Sequence, residues 1–311
     1  MDKDLILGTA MWGWKIEKNI CFQLLDKFYD KGFRCVDTAT NYPINNSPKS
    51  FRDAENIIAE WININGISDL KIIMKIGSVD NSGGSKNNLS FSYLLMNKEY
   101  YISKFHHNLW MLMVHWDNRK KKEKIMETVN ALTIFHKENI GIGLSGIKYP
   151  EIYYNIFNDK GLKPSIECKH NLYESHIDRY IKYFANNIIY TYGANMGGLN
   201  LKNEYSDQSS IALRCIDSSK YCEFIKRINS TIAKYNNELS MKITTLNQLG
   251  LIEILFNDQI NGLIIAPSKL NQLNSTLSDY EIFSVKILGD SKMIFTKIFN
   301  EIRNKNSQFK K

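Results

Sequence analysis

Short apolar runs alternate with longer stretches of helical periodicity eight times along the 311 residues, which restricts the chain to folds built on a parallel sheet. The runs are Leu5 to Thr9, Arg34 to Asp37, Ile72 to Ile76, Trp110 to His115, Ile140 to Ser145, Ser165 to Cys168, Ile188 to Tyr192 and Gly262 to Ile265. Each is short and mostly apolar, as strands are when a barrel interior covers one face and a helix ring the other. Between the first two runs, Cys21, Leu24, Leu25, Phe28 and Tyr29 keep the three-and-four spacing of a helix with one buried stripe, closed by Gly32 at a C-cap position. Ile125, Met126, Val129 and Leu132 repeat the spacing, as do Phe224, Ile225, Ile228 and Ile232, and both stripes read as core. With no strong internal boundary, the expectation is a single α/β (β/α)₈ TIM barrel over 1–285, although an open doubly wound sheet has the same local pattern. A helical, basic tail over 286–311 is expected either to pack on the barrel or to fray from it.

A composition of 43% hydrophobic and 23% charged residues suffices for a sizeable core. The N-terminus carries acids where a signal peptide needs bases, and no apolar run is long enough to span a bilayer, so a cytoplasmic protein without a membrane partner is expected. Cys21, Cys35, Cys168, Cys215 and Cys222 are odd in number and lack close metal-ligand spacing, and read as reduced, mostly packed thiols. The net charge of +8 favours anionic ligands, but the bases are scattered rather than gathered in a stripe, which argues against a nucleic-acid partner. The runs Arg119 to Lys124 and Arg303 to Lys311 read as a solvated helix start and a frayed chain end.

Two segments break the repeat. Ser78 to Ser92, rich in Gly, Asn and Ser, follows the third run, and Asn200 to Ser219 follows the seventh. In a barrel both leave from the C-terminal rim, where loops carry chemistry, so they read as substrate-side or cofactor-covering loops, or else as surface insertions with no role.

Four polar residues stand at or just beyond the ends of three successive runs: Asp37 and Tyr42 in CVDTATNYP, Lys75 in IIMKIGS and His115 in MLMVHWD. Strand C-termini of a parallel barrel converge on one rim, so these residues can meet there. A tyrosine hydroxyl is a poor acid at neutral pH unless a cation stabilises its phenolate. Lys75 supplies that charge, Asp37 keeps Lys75 charged in a desolvated site, and a neutral His115 donates to a carbonyl oxygen. Singly, each residue has a bland reading, a structural histidine or a turn-capping aspartate; their joint placement carries the inference.

From Gly8 to about Thr276 the chain resembles the aldo-keto reductase family. The matching stretches are LGTAMWGW, DTATNY, the strand-end Lys75, LMVHWD, GIGLSG, IECKHNL, YTYGANMGGL and GLIIAPSKLNQL. The resemblance implies a barrel that binds NADPH, with NADH as the alternative, and reduces an aldehyde or ketone by hydride transfer. Tyr42 is then the general acid, assisted by Lys75, Asp37 and His115. It further implies that the cofactor lies along Gly8, Thr9, Ala10, Asp37, Ser145, Gly146, Glu167, Thr191, Tyr192, Gly193, Asn195, Gly197, Ala266, Ser268, Lys269 and Gln272.

The chain departs from the family pattern in several places: APSKLNQL lacks the Arg that often grips the 2′-phosphate of NADPH, where Ser268 and Lys269 can stand in, and three further positions differ. Gly146 stands where the family usually has Asn, and Glu167 where it has a Gln that contacts the nicotinamide amide. Thr191 falls where an aromatic stacks on the nicotinamide, with Tyr190 and Tyr192 on either side, and a shift of one residue restores stacking. An acceptor-only carboxylate cannot copy an amide's paired donor and acceptor. The Gly146 and Glu167 departures motivate an alternative reading, a barrel that binds nicotinamide cofactor as a sensor or scaffold with weak or no catalysis. A metal-dependent hydrolase using Asp37 and His115 is a third reading, which needs more converging ligands than six histidines mostly off the strand ends provide. Trp12, Trp14 and Trp116, with the two rim loops, suggest an aromatic-lined pocket for a small-molecule carbonyl substrate, phosphorylated or sugar-like, though tryptophans at such positions also fill cores. Oligomeric state is not written in these motifs.

Overall fold

A computed structural model describes residues 3–84, 86–207, 209–239, 241–286 and 291–304. Eight parallel strands close in sequence order into one barrel. Strands β1 (Asp4–Gly8), β2 (Cys35–Ala39), β3 (Lys71–Ile76) and β4 (Leu109–His115) are followed by helices α1 (Lys18–Asp30), α2 (Asp53–Asn65), α3 (Phe91–Phe105) and α4 (Lys122–Lys137). Strands β5 (Gly141–Ser145) and β6 (Ser165–Lys169) are followed by α5 (Pro150–Asp159) and α6 (Ile177–Phe184). Three helices separate β7 (Ile189–Tyr192) from β8 (Gly262–Ile265): α7 (Ser210–Leu213), α8 (Cys222–Tyr235) and α9 (Leu246–Phe256). Helices α10 (Leu270–Lys286) and α11 (Ser291–Asn304) complete the chain described. The closed sheet excludes the doubly wound alternative.

Alternation along the strands separates two cores. Ile6, Ile73, Met111, Met113, Tyr190 and Ile264 form one apolar cluster from alternate positions of five strands, which is the barrel interior. Leu5, Leu7, Ile72, Met74, Leu112, Val114, Leu144 and Leu263 point the other way and join the layer under the helices. The helix stripes face this outer layer: Cys21, Leu24, Leu25 and Phe28 of α1 are buried, as are Phe224, Ile225, Ile228 and Ile232 of α8. In α4 the stripe is narrower than the spacing implies, since Ile125, Val129 and Leu132 are buried while Met126 is exposed. Gly32 has a φ of +88° and its N–H bonds to Tyr29 O, the geometry that ends α1 just past Lys31.

The tail divides at the limit of description. Helix α11 packs against α8 and α9 and buries Phe295, Ile298, Phe299 and Ile302, so 291–304 is docked rather than frayed. Arg303 is not a loose terminal base, because its guanidinium donates to Glu253 of α9. The remaining basic residues of the tail, 305–311, lie outside the described residues. Arg119 also departs from a solvated reading: its guanidinium grips both oxygens of buried Asp117, at 2.9 and 2.8 Å. All five cysteines are free, with Cys215 alone exposed. Among the described residues no helix is long and apolar enough to cross a membrane.

Candidate active site

β2 carries Asp37 into the barrel interior and then turns. Thr40 donates to Lys75 O twice, from N at 3.0 Å and from Oγ1 at 3.2 Å, and Tyr42 N donates to Ala39 O at 3.1 Å. These bonds fold the chain back over the end of β3 and bring Tyr42 to Lys75. Lys75 Nζ lies 5.1 Å from the centroid of the Tyr42 ring, and the His115 ring meets Tyr42 edge-on at 6.0 Å. Asp37 accepts from Lys75 Nζ. The four residues expected to converge thus form one group, 1–2% exposed at Lys75, Asp37 and His115 and 8% at Tyr42.

A fifth residue belongs to the group. Glu167 enters from β6, across the barrel, and its Oε1 accepts from Lys75 Nζ at 3.2 Å and from Ser145 Oγ at 3.1 Å. Burial tends to strip Lys75 of its proton, but the charges of Asp37 and Glu167 outweigh it and hold the ammonium well above its ordinary range. Burial, and then the Glu167 charge, raise the Asp37 carboxyl well above the usual carboxylate range despite Lys75. Burial pushes the Tyr42 hydroxyl up to about 12; Lys75 opposes the rise, and Asp37 and Glu167 add to it. This runs against the expectation that Lys75 makes the Tyr42 hydroxyl acidic: in this structure Lys75 offsets only part of the rise that burial imposes. His115, buried and then further disfavoured as a cation by Lys75, is held well below 6.5 and is neutral at pH 7. Its Nδ1 lies 3.5 Å from Ser78 Oγ at the start of the first long rim loop.

The positions around this group sort clearly. Tyr190 and Tyr192 both associate with the interior cluster, so Thr191 between them faces outward, completely buried, with its hydroxyl towards Gly262 O. Thr191 therefore does not face the site; Tyr192, one residue on, is the aromatic that does. Gly146 has a φ of +68°, and a Cβ there would lie 2.4 Å from Trp116 Cδ1. Trp116 itself sits at φ +54°, with its N–H on Ser145 O at 2.9 Å and its ring 4.2 Å from His115. The indole occupies the space that a side chain at 146 would need. Trp12 is completely buried in the outer core and offers no surface to the mouth.

Gly8 pairs with Asp37 in register, and Thr9 donates to Asp37 O through both N and Oγ1, at 3.2 and 3.0 Å. Ala10 is partly buried beside the core. Gly193 and Gly197 have φ of +83° and +81° in the turns that follow β7, and Met196 and Gly198 bond back to Gly193 O and Asn195 O. Ala266 and Lys269 are exposed beyond β8, and Ser268 donates to Gln272 Oε1 at the start of α10. Two grooves of about 350 Å³ flank the centre rather than contain it. One is lined by Gly83, Gly84, Trp116, Asn118, Gly146 and Lys148 among others, and the second by Met11, Trp14, Ile44, Asn45, Arg214 and Cys215 among others. Both long rim loops reach these grooves, through Gly83 and Gly84 of the first and Leu213, Arg214 and Cys215 of the second.

A family model for the aldo/keto reductase family matches residues 4–282. The chain belongs to the aldo/keto reductase family. Compared with curated proteins, this aldo/keto reductase finds no match. Family and closed barrel together support an oxidoreductase role dependent on a nicotinamide cofactor. The fifth residue, Glu167, was visible in the sequence as a departure at a cofactor position, but its contact with Lys75 was not, since it spans the barrel from β6 to β3.

Proposed function

We propose that the chain reduces the carbonyl group of a small polar molecule, with Tyr42 as proton donor and a nicotinamide cofactor, NADPH in preference to NADH. The observation that carries this reading is the convergence of a phenol, an ammonium and a neutral imidazole on one rim, 5.1 and 6.0 Å from the Tyr42 ring. When bound, the cofactor supplies a hydride. The residues of the chain do the rest: neutral His115 donates a hydrogen bond to the carbonyl oxygen, Tyr42 gives it a proton as negative charge develops there, and Lys75 stabilises the resulting phenolate.

The residues fit such a cofactor better at one end than at the other. Exposed Lys269, with Ser268 before the start of α10, offers an ammonium and a hydroxyl to a phosphate, and the positive-φ glycines after β7 leave backbone open to close approach. Tyr192 offers an aromatic face near the centre. Glu167 fits least, since a carboxylate has no amide donor and its Oε1 is engaged by Lys75 and Ser145. Asn45, Asn118, Lys148 and Arg214 on the groove walls, beside Trp14 and Trp116, support a phosphorylated or sugar-like carbonyl compound as substrate.

The test is a titration with NADPH and NADH followed by tryptophan fluorescence and melting temperature, and then a panel of sugar and phosphorylated aldehydes and ketones. Saturable binding, a rise in melting temperature and carbonyl-dependent cofactor oxidation are expected. Failure of both cofactors to bind would overturn the proposal. Binding with no oxidation by any carbonyl would favour the second reading, a cofactor-binding sensor or scaffold, which the engagement of Glu167 and the small exposure of Tyr42 support.

A further inference from the structure

The barrel interior holds one ammonium between two carboxylates. Lys75 Nζ donates to Asp37 Oδ1 and to Glu167 Oε1, the latter at 3.2 Å, with Glu167 Oε2 at 3.5 Å. All three side chains are at most 3% exposed. Among the described residues, the groups facing this cluster are Tyr42 beyond β2, His115 from β4, Tyr192 from β7 and, behind Glu167, Cys168 and Tyr180. Cys35 approaches Asp37 from the lower turn of β2. Arg179 acts on Cys168 and Tyr180, and Lys71 and Asp4 act on Cys35, but among the described residues Lys75 is the cation that donates to either carboxylate. With both carboxylates ionised the cluster carries a net negative charge in a buried site, and Asp37 Oδ2 is moreover buried with no hydrogen-bond partner among the described residues. An unbalanced buried charge is costly, and two carboxylates sharing a site relieve it by retaining one proton.

We propose that Glu167 is a positioning residue for Lys75: its charge beside the ammonium keeps one exchangeable proton on Asp37, and Tyr42 donates efficiently only while that proton is in place. This rests on the reading of Tyr42 as the acid. With that proton present, one carboxylate offsets Lys75, and a phenolate at Tyr42 meets a neutral cluster. With the proton lost, two carboxylates outweigh one ammonium and oppose formation of that phenolate. The reaction balance is unaffected, since Tyr42 loses one proton to the substrate oxygen in either state and regains it from solvent.

Glu167→Gln tests the inference, because it keeps the shape and the acceptor for Lys75 while removing the charge. At saturating cofactor, kcat of the wild type should fall tenfold per pH unit once the proton held at Asp37 is lost, with KM changed little. Glu167→Gln should be flat over the same interval and faster than the wild type at its alkaline end. A limb of unchanged position and slope in the variant would overturn the proposal. A second measurement needs no turnover: infrared spectra of the cofactor-free protein at neutral pH should show a protonated-carboxyl band that Glu167→Gln removes. If the wild type lacks a band sensitive to this change, the inference fails even if the reductase reading stands. If the band behaves as described, the proton on Asp37 stands even if no carbonyl is reduced. A melting curve of the variant separates these outcomes from failure to fold.

Discussion

Lys75 has one positive charge to divide among two buried carboxylates and a phenol, and that division sets the character of the centre. Its separate parts were legible in the sequence, because strand-end Asp, Lys and His and a following Tyr share a rim in any parallel barrel. The division was not legible, because the Glu167 contact depends on the barrel diameter and not on spacing along the chain. His115 gives a prediction at this scale. Its folded-state pKa lies below the ordinary 6.5, so below pH 6.5 the unfolded chain binds a proton that the folded chain refuses. Stability is therefore full above 6.5 and is lost as pH falls, by up to about 1.4 kcal/mol per pH unit from this one group. Urea denaturation from pH 7 to 5 should show the loss, and His115→Gln should lack that increment; a variant with the same acid slope as the wild type would exclude His115 as its source.

The eight strands were recognisable because burial on both faces makes them continuously apolar, and their observed ends lie within about two residues of the apolar runs. Side-chain facing was less legible. Whether Thr191 or Tyr192 enters the barrel follows from the register of β7, in which Tyr192 pairs with Lys169 and Ile264, and a single residue of slip reverses it. Gly146 at the end of β5 is another case: the sequence marks the departure, while the close approach of Trp116 from the end of the neighbouring strand shows only in the fold. Gly146→Ala should destabilise the protein by about 1–3 kcal/mol, through the strained φ and the clash with the indole. Chemical denaturation of Gly146→Ala, Trp116→Ala and the pair would show this, with part of the cost relieved in the double variant; fully additive costs would exclude the clash. On the neighbouring loop, Arg119→Ala should cost about 2 kcal/mol, because it strips two charge-assisted bonds from buried Asp117 and leaves only Tyr153 and backbone partners. An unchanged denaturation midpoint would return Arg119 to the solvated base that a charge run ordinarily implies.

At the scale of the molecule, α11 closes the outer layer over α8 and α9, and its Arg303 meets Glu253, which also bonds His170 Nε2 at 2.7 Å. The last helix is thereby linked to the segment leaving β6. Ile302→Ala in its completely buried position should cost about 2–4 kcal/mol in equilibrium unfolding, and a cost near zero would mean that α11 is not part of the cooperative unit. The closed barrel fixes where chemistry can occur, since only its rim gathers residues from β2, β3, β4 and β6 into one place. The most direct test of what the rim does is Tyr42→Phe, with NADPH binding followed by tryptophan fluorescence and carbonyl-dependent NADPH oxidation followed by absorbance. Turnover should fall by about a hundredfold or more while cofactor affinity stays near that of the wild type. A variant that turned over at the wild-type rate would show that the phenol is not the acid.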